Sequence, residues 1–274
     1  MSHGDTILLN VVLGCELTKS SETKQLHFKS PPTTPLEIKK RIEENFSIPS
    51  CVQTLSYQSV ILKDSDELQH THFRSGDTFT VNYPIKGNCE MIQNVIQWLR
   101  EIFKLFQAIE ENDSLPDEEK DPSLSSHVHK IEDLILSGEE DGTILELSNF
   151  FHQLVGERTY VNKLHFQNEG GLDVLIKVYG LLVSKDLGDY GINSELHLYL
   201  EYSCVCAIAN YGGCAVTKYG DSFPLARQVI KLGGLEMCLQ TLLRKKVEKN
   251  GESEIHPGSL MESALLSALC AVTK

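Results

Sequence analysis

The chain has 274 residues, 41% of them hydrophobic and 23% charged, and 38 acidic against 25 basic side chains leave a net charge of −13. That length fills one large or two ordinary soluble domains. The acidic balance argues against a duplex nucleic acid partner, whose phosphates call for clustered Lys and Arg. The only basic runs, Lys39-Lys40-Arg41 and Arg244-Lys245-Lys246, fall on predicted helices beside acidic neighbours and read as solvated helix faces.

The first six residues, Met1-Ser2-His3-Gly4-Asp5-Thr6, have neither the basic region nor the apolar core of a secretory signal. No uninterrupted apolar stretch approaches membrane-spanning length, so no membrane role is expected, and the expected location is the cytoplasm, with the nucleus also open. Eight scattered cysteines, several at apolar helix positions, are expected to be buried free thiols of a reducing compartment.

Thr6 to Leu13 is an apolar strand-like run, and Leu26 and Phe28 alternate with polar residues after a Gly- and Ser-containing connection, which predicts an opening hairpin. Pro31-Pro32 breaks the strand. Thr33 or Thr34 can then cap a helix, with Pro35 in its first turn and Leu36, Ile38 and Ile42 on its apolar side. Ile48-Pro49 ends that helix, and strands follow at Val52 to Tyr57 and Asp77 to Tyr83.

Two strands, a helix and two further strands is the order of a β-grasp, an α+β domain. The residues Thr34, Ile38, Ile42, Ile48-Pro49, Leu55, Leu62, Asp64, Leu68 and Thr78-Phe79-Thr80-Val81 resemble the ubiquitin family in a nearly gap-free match from Thr34 to Asn82. Most of them are core or turn positions, so the resemblance implies fold more than function. Where that family presents an apolar recognition patch, this chain aligns Ser56, Thr80 and Asn82, which implies a protein-binding surface of different chemistry. The family's conjugating double glycine is replaced by Tyr83-Pro84-Ile85-Lys86-Gly87-Asn88, and Val60 and Ser75 stand at two linkage-lysine positions. Residues 1–87 are therefore expected to be a docking domain rather than a tag.

Met91 to Ile109 carries Ile92, Val95, Ile96, Leu99, Ile102, Phe103, Phe106 and Ile109 at spacings of three and four, the pattern of one amphipathic helix, and Trp98 and Leu105 widen its stripe. It is expected to connect the parts of the chain over 88–111. Seven acids, one lysine and Pro116 within 110–121 predict an acidic linker over 112–125.

From 126 to 274 the chain repeats itself. Leu147-Ser148-Asn149-Phe150 returns as Ile208-Ala209-Asn210-Tyr211 and as Leu269-Cys270-Ala271-Val272, at intervals of 61 residues. Gly170-Gly171-Leu172 and Gly233-Gly234-Leu235 each open an apolar-periodic helix, so these glycines read as helix corners. Such an interval predicts stacked helical units. With the small-residue stripe Cys204-Val205-Cys206-Ala207-Ile208-Ala209-Asn210, the segment resembles armadillo repeats, an all-α solenoid whose asparagines grip an extended peptide; Asn149 and Asn210 match those asparagines. Each unit exceeds the family's length through polar insertions, Ser184 to Glu195 and Lys246 to Gly258.

Cys204, Cys206 and Cys214 lack the spacing of paired zinc ligands, His70-x-His72 and His127-x-His129 read as surface histidines, and no phosphate loop occurs. No catalytic residue, metal or cofactor is expected. The expectation is a non-enzymatic adaptor for protein partners, including ubiquitin-handling machinery, without nucleic acid or membrane. Two alternatives stay open: the amino-terminal regulatory part of a larger ubiquitin-pathway enzyme, since Lys274 falls inside a third predicted helix, or a scaffold unrelated to ubiquitin.

Overall fold

Alternation of apolar and polar residues from Ile7 onward makes a strand with one buried side, and a computed structural model shows where that side packs. It describes residues 7–68, 73–116, 129–134, 144–152, 157–184, 193–212 and 223–248. By contacts the chain divides into two units, Met1–Glu90 and Met91–Lys274.

In the first unit, β1 (Ile7–Cys15) turns through Lys19, whose φ is 51°, into β2 (Ser20–Phe28), and the two pair antiparallel with Leu9 opposite Leu26. The helix α1 (Pro35–Phe46) starts where the sequence places it. Thr34 is the N-cap, its Oγ1 accepting from the Glu37 N–H at 3.4 Å, while the Glu37 carboxylate accepts from the Thr33 N–H and hydroxyl, each at 2.8 Å. Ile38 and Ile42 are wholly buried, worth roughly 1.5–3 kcal/mol each in apolar burial.

The strand expected from Val52 starts later. Val52 ends a 3-10 turn (Ser50–Val52), and the ladder begins at β3 (Thr54–Tyr57). A short strand not anticipated from the sequence, β4 (Val60–Ile61), folds back through Gln58 and Ser59, both left-handed, before β5 (Thr78–Tyr83). The order is β2-β1-β5-β3-β4, with β1 and β5 parallel and the other pairs antiparallel. Leu9, Val11, Leu13, Leu26, Ile38, Ile42, Ile48, Leu55, Phe79 and Val81 share one core on the side of the sheet that α1 covers. This is a β-grasp arrangement.

The second unit is mostly helical. The row Ile92, Val95, Ile96, Leu99, Ile102, Phe106 and Ile109 on α2 (Cys89–Asp113) joins one hydrophobic core with the later helices. Trp98 donates from Nε1 to the Leu134 carbonyl at 2.7 Å, and Arg100 donates to the carbonyl of Glu169 at 2.7 Å. The expected acidic linker over 112–125 lies mostly outside the described residues.

Further along come α3 (Ile144–His152), α4 (Glu157–Asn168), α5 (Gly171–Ser184), α6 (Ser194–Gly212), α7 (Phe223–Lys231) and α8 (Gly234–Glu248). The corner between α4 and α5 is repeated between α7 and α8. Gly170 and Gly233 hold φ of 77° and 82°, and three backbone hydrogen bonds, from the N–H groups of Glu169, Gly170 and Val174, recur 63 residues later from Leu232, Gly233 and Met237. Glycine is needed there because other residues reach that left-handed region only at a cost.

Equivalent helices pack on each other. Asn210 on α6 bonds to Ser148 on α3, and the Tyr179 hydroxyl on α5 meets Thr241 on α8 at 2.7 Å, both contacts spanning 62 residues. The third mark, Leu269-Cys270-Ala271-Val272, lies outside the described residues, as does most of both polar insertions.

Candidate protein-binding surfaces

The sheet register decides which side chains share the face opposite α1. Strand β1 contributes Leu8, Asn10, Val12 and Gly14, β2 contributes their partners His27, Gln25, Thr23 and Ser21, and β5 contributes Thr78, Thr80 and Asn82. Thr54 and Ser56 of β3 pair with Asn82 and Thr80, and Ile61 of β4 with Ser56. None of these fourteen residues is Asp, Glu, Lys or Arg, in a chain of which 23% is charged. The charged residues of β2, Glu22 and Lys24, point to the other side of the sheet, opposite Leu13 and Val11.

Ser56, Thr80 and Asn82 are therefore brought together, as neighbours on this open face. The Ser56 hydroxyl donates to the Thr80 carbonyl at 3.3 Å, and the Asn82 carboxamide oxygen lies 2.8 Å from where a Cβ on Gly14 would sit. Glycine at 14 thus leaves room for the amide to lie across β1. Gln25 donates to Asn10 at 3.3 Å, which in turn donates to the Gly76 carbonyl at 2.7 Å. The surface is a hydrogen-bonding lattice with Val12 inside it and the exposed Ile61, at 67%, on its edge. Thr23, Gln25, Thr54 and Thr78 were not singled out in the sequence; counting charges at every second strand position would have found them.

The segment that replaces a conjugating tail is tied down. The Gly87 N–H donates to the Ser47 carbonyl at 3.2 Å, the Cys15 thiol donates to the Pro84 carbonyl at 3.3 Å, and α2 follows at Cys89. Val60 is 62% exposed on the two-residue β4, and Ser75 bonds to the backbone of Leu8 at 3.1 Å.

In the helical unit Asn149 is exposed on α3, while the half-buried Asn210 donates its amide to the Ser148 hydroxyl at 2.7 Å and to the Ser148 carbonyl at 3.3 Å. One asparagine is offered to solvent, and the other ties the two repeated helices together. Leu198, Tyr202, Cys206 and Asn210 run along α6 at steps of four, partly open, on a helix otherwise mostly buried. No sequence pattern marks Leu198 and Tyr202, because α6 has no clear polar side. The hydrogen bond to Cys206 pushes the Tyr202 phenol up, and burial pushes the Cys206 thiol up.

Burial also pushes up Cys204, and Cys238 to about 11, so at neutral pH these thiols are neutral rather than nucleophilic. Cys15, Cys51, Cys89, Cys204, Cys206 and Cys238 are not joined in disulfides, and Cys51 is exposed. Cys214 and Cys270 lie outside the described residues, as do His70, His72 and His127; His129 is exposed. Among the described residues no helix is long and apolar enough to cross a membrane.

A sheet of this order packed under one helix defines a β-grasp domain of the ubiquitin-like kind. Residues 19–83 match the ubiquitin family. No curated protein matches the chain. Among solved structures the chain is similar to one described as the crystal structure of ATBAG1 in complex with HSP70, at 11% identity and a TM-score of 0.24, over 66% of this chain and 99% of that one. So slight a likeness bears on neither fold nor partner.

Proposed function

We propose that this chain is a non-enzymatic adaptor whose ubiquitin-like domain docks protein partners through the open face of its sheet, within the ubiquitin pathway. The observation that carries the reading is the lack of formal charge on all fourteen positions of that face. Interface centres are depleted in charge because a charged group loses its water there and regains it only from a matched partner. Hydroxyls and amides in place of an apolar patch fit receptors other than those that bury carbon on ubiquitin. The helical unit is read as an armadillo-like solenoid that holds a protein client, with Asn149 and the Tyr202 stripe of α6 as its contact line.

Capture from cell extract with the full chain tests the docking reading. The expected result is that ubiquitin-handling proteins are recovered by the native chain and lost with Thr80→Lys, which sets an ammonium in the middle of the face. Equal recovery by both chains would remove the face from the account. Treatment with a thiol-reactive ubiquitin probe is expected to leave the chain unlabelled, Cys51 included; a covalent adduct on any cysteine would replace the adaptor reading with an enzymatic one.

A further inference from the structure

We propose that the open face of the sheet is also a self-association surface, on which two copies of this chain meet face to face about a two-fold axis. This rests on the reading of that face as a docking surface and adds the occupant.

Charge leaves this face as the place where two copies can meet. Each chain carries −13, and residues 88–274 hold 28 acidic against 16 basic side chains, so an approach through the helical part brings like charge to like charge. Residues 1–87 are nearly balanced, 10 acidic against 9 basic, and their open face carries none of those charges. A charged surface laid on it would shed water and find no counter-charge. A second copy brings no charge to lose.

The chemistry of the face is also its own complement. A two-fold contact sets each group against the same patch of the partner, and two ammoniums or two carboxylates facing each other repel. Hydroxyls and carboxamides both donate and accept, so Thr23, Gln25, Thr80 and Asn82, all exposed, can pair with their own kind. Thr80 sits midway along β5, the middle strand of the five, and lies near the centre of such a contact.

Area sets the strength. A stable interface takes about 20 to 30 residues from each side, and the face supplies fourteen, so the dimer is weak and forms only as concentration rises.

Sedimentation velocity of the full chain, from micromolar to near-millimolar concentration at low and high salt, tests this. The sedimentation coefficient is expected to climb with concentration, and to climb more at high salt, because salt screens repulsion between two acidic copies while leaving an uncharged contact untouched. Thr80→Lys and, separately, Thr23→Lys are each expected to weaken the dimer at least about tenfold, with circular dichroism showing the fold unchanged. A monomer at every concentration, a dimer that salt dissolves, or one that both variants leave intact would overturn the proposal. If the native chain stays monomeric while Thr80→Lys still loses captured proteins, self-association falls and the docking reading stands; if capture too is unchanged, both fall.

Discussion

Gln53 shows how a single polar side chain fixes a backbone that the strand pattern leaves open. Its Nε2 donates to the Lys39 carbonyl at 2.9 Å and to the Ile48 carbonyl at 2.7 Å, with the side chain buried. It ties the middle of α1 to the loop that leaves it. Gln53→Leu fills the space but takes the donor from the Ile48 carbonyl and leaves the Lys39 carbonyl only its bond within α1, and is expected to cost about 1–3 kcal/mol in urea denaturation of the first unit. Gln53→Glu is expected to cost more, since a buried carboxylate would face two carbonyl oxygens. A midpoint unchanged in both variants would mean that water takes over those bonds. Between Val52 and Thr54 a glutamine reads as the outward residue of a strand, so its role was hidden; Thr34 and Pro35 were legible because capping and a missing N–H act locally. Of the five singled-out binding residues, Ser56, Thr80 and Asn82 gather on one face, whereas Asn210 spends its amide on Ser148, a partner 62 positions away that only stacking brings near.

At the scale of elements, legibility followed the strength of the period. Helix α2 announced itself through a full row of apolar residues, and the glycine corners through their doubled glycines. Strand β4 did not, because the Gln58-Ser59 turn adopts left-handed backbone without the Asn or Gly that normally marks it. Helix α4 was also missed: Thr159, Asn162, Lys163 and His165 are all buried, so its polar residues mark no outer side. The corners make a paired prediction. Gly233→Ala forces a side chain onto a φ of 82°, with the Met237 methyl 3.9 Å away in an ordinary contact, at a cost of about 1 kcal/mol. Gly171→Ala puts a methyl 2.4 Å from the ring of Phe166, which is wholly buried and packed edge-on against Phe151 at 5.4 Å, so the ring has little room to yield. The expected cost there is higher, about 1–3 kcal/mol. Thermal unfolding followed by helical circular dichroism should rank Gly171→Ala below Gly233→Ala; the reverse order would mean that the Phe166 packing is looser than its burial implies.

At the scale of the whole molecule, the acidic balance and the buried thiols pull on stability in the same direction as pH rises, and they can be separated. Desolvation is the leading cause that pushes up Tyr179, Tyr211, Cys204 and Cys238 in the helical unit, the last from an ordinary 9.0 to about 11. A folded value above the unfolded one means that the folded chain holds the proton more tightly. The contribution of Cys238 is therefore complete below pH 9 and is lost between 9 and 11, at about 1.4 kcal/mol for each pH unit. The urea midpoint, read by helical circular dichroism, should stay level from pH 7 to near 9 and fall steeply above it. Cys238→Ala lowers the starting stability but should flatten the fall between 9 and 11, since one titrating group is gone. Growing repulsion in a chain already at −13 would also destabilise it at alkaline pH, but that part weakens in high salt, whereas the cost of ionising a buried thiol does not. A midpoint that holds level to pH 11, or a fall that salt abolishes entirely, would show that these thiols are reached by water in the folded chain.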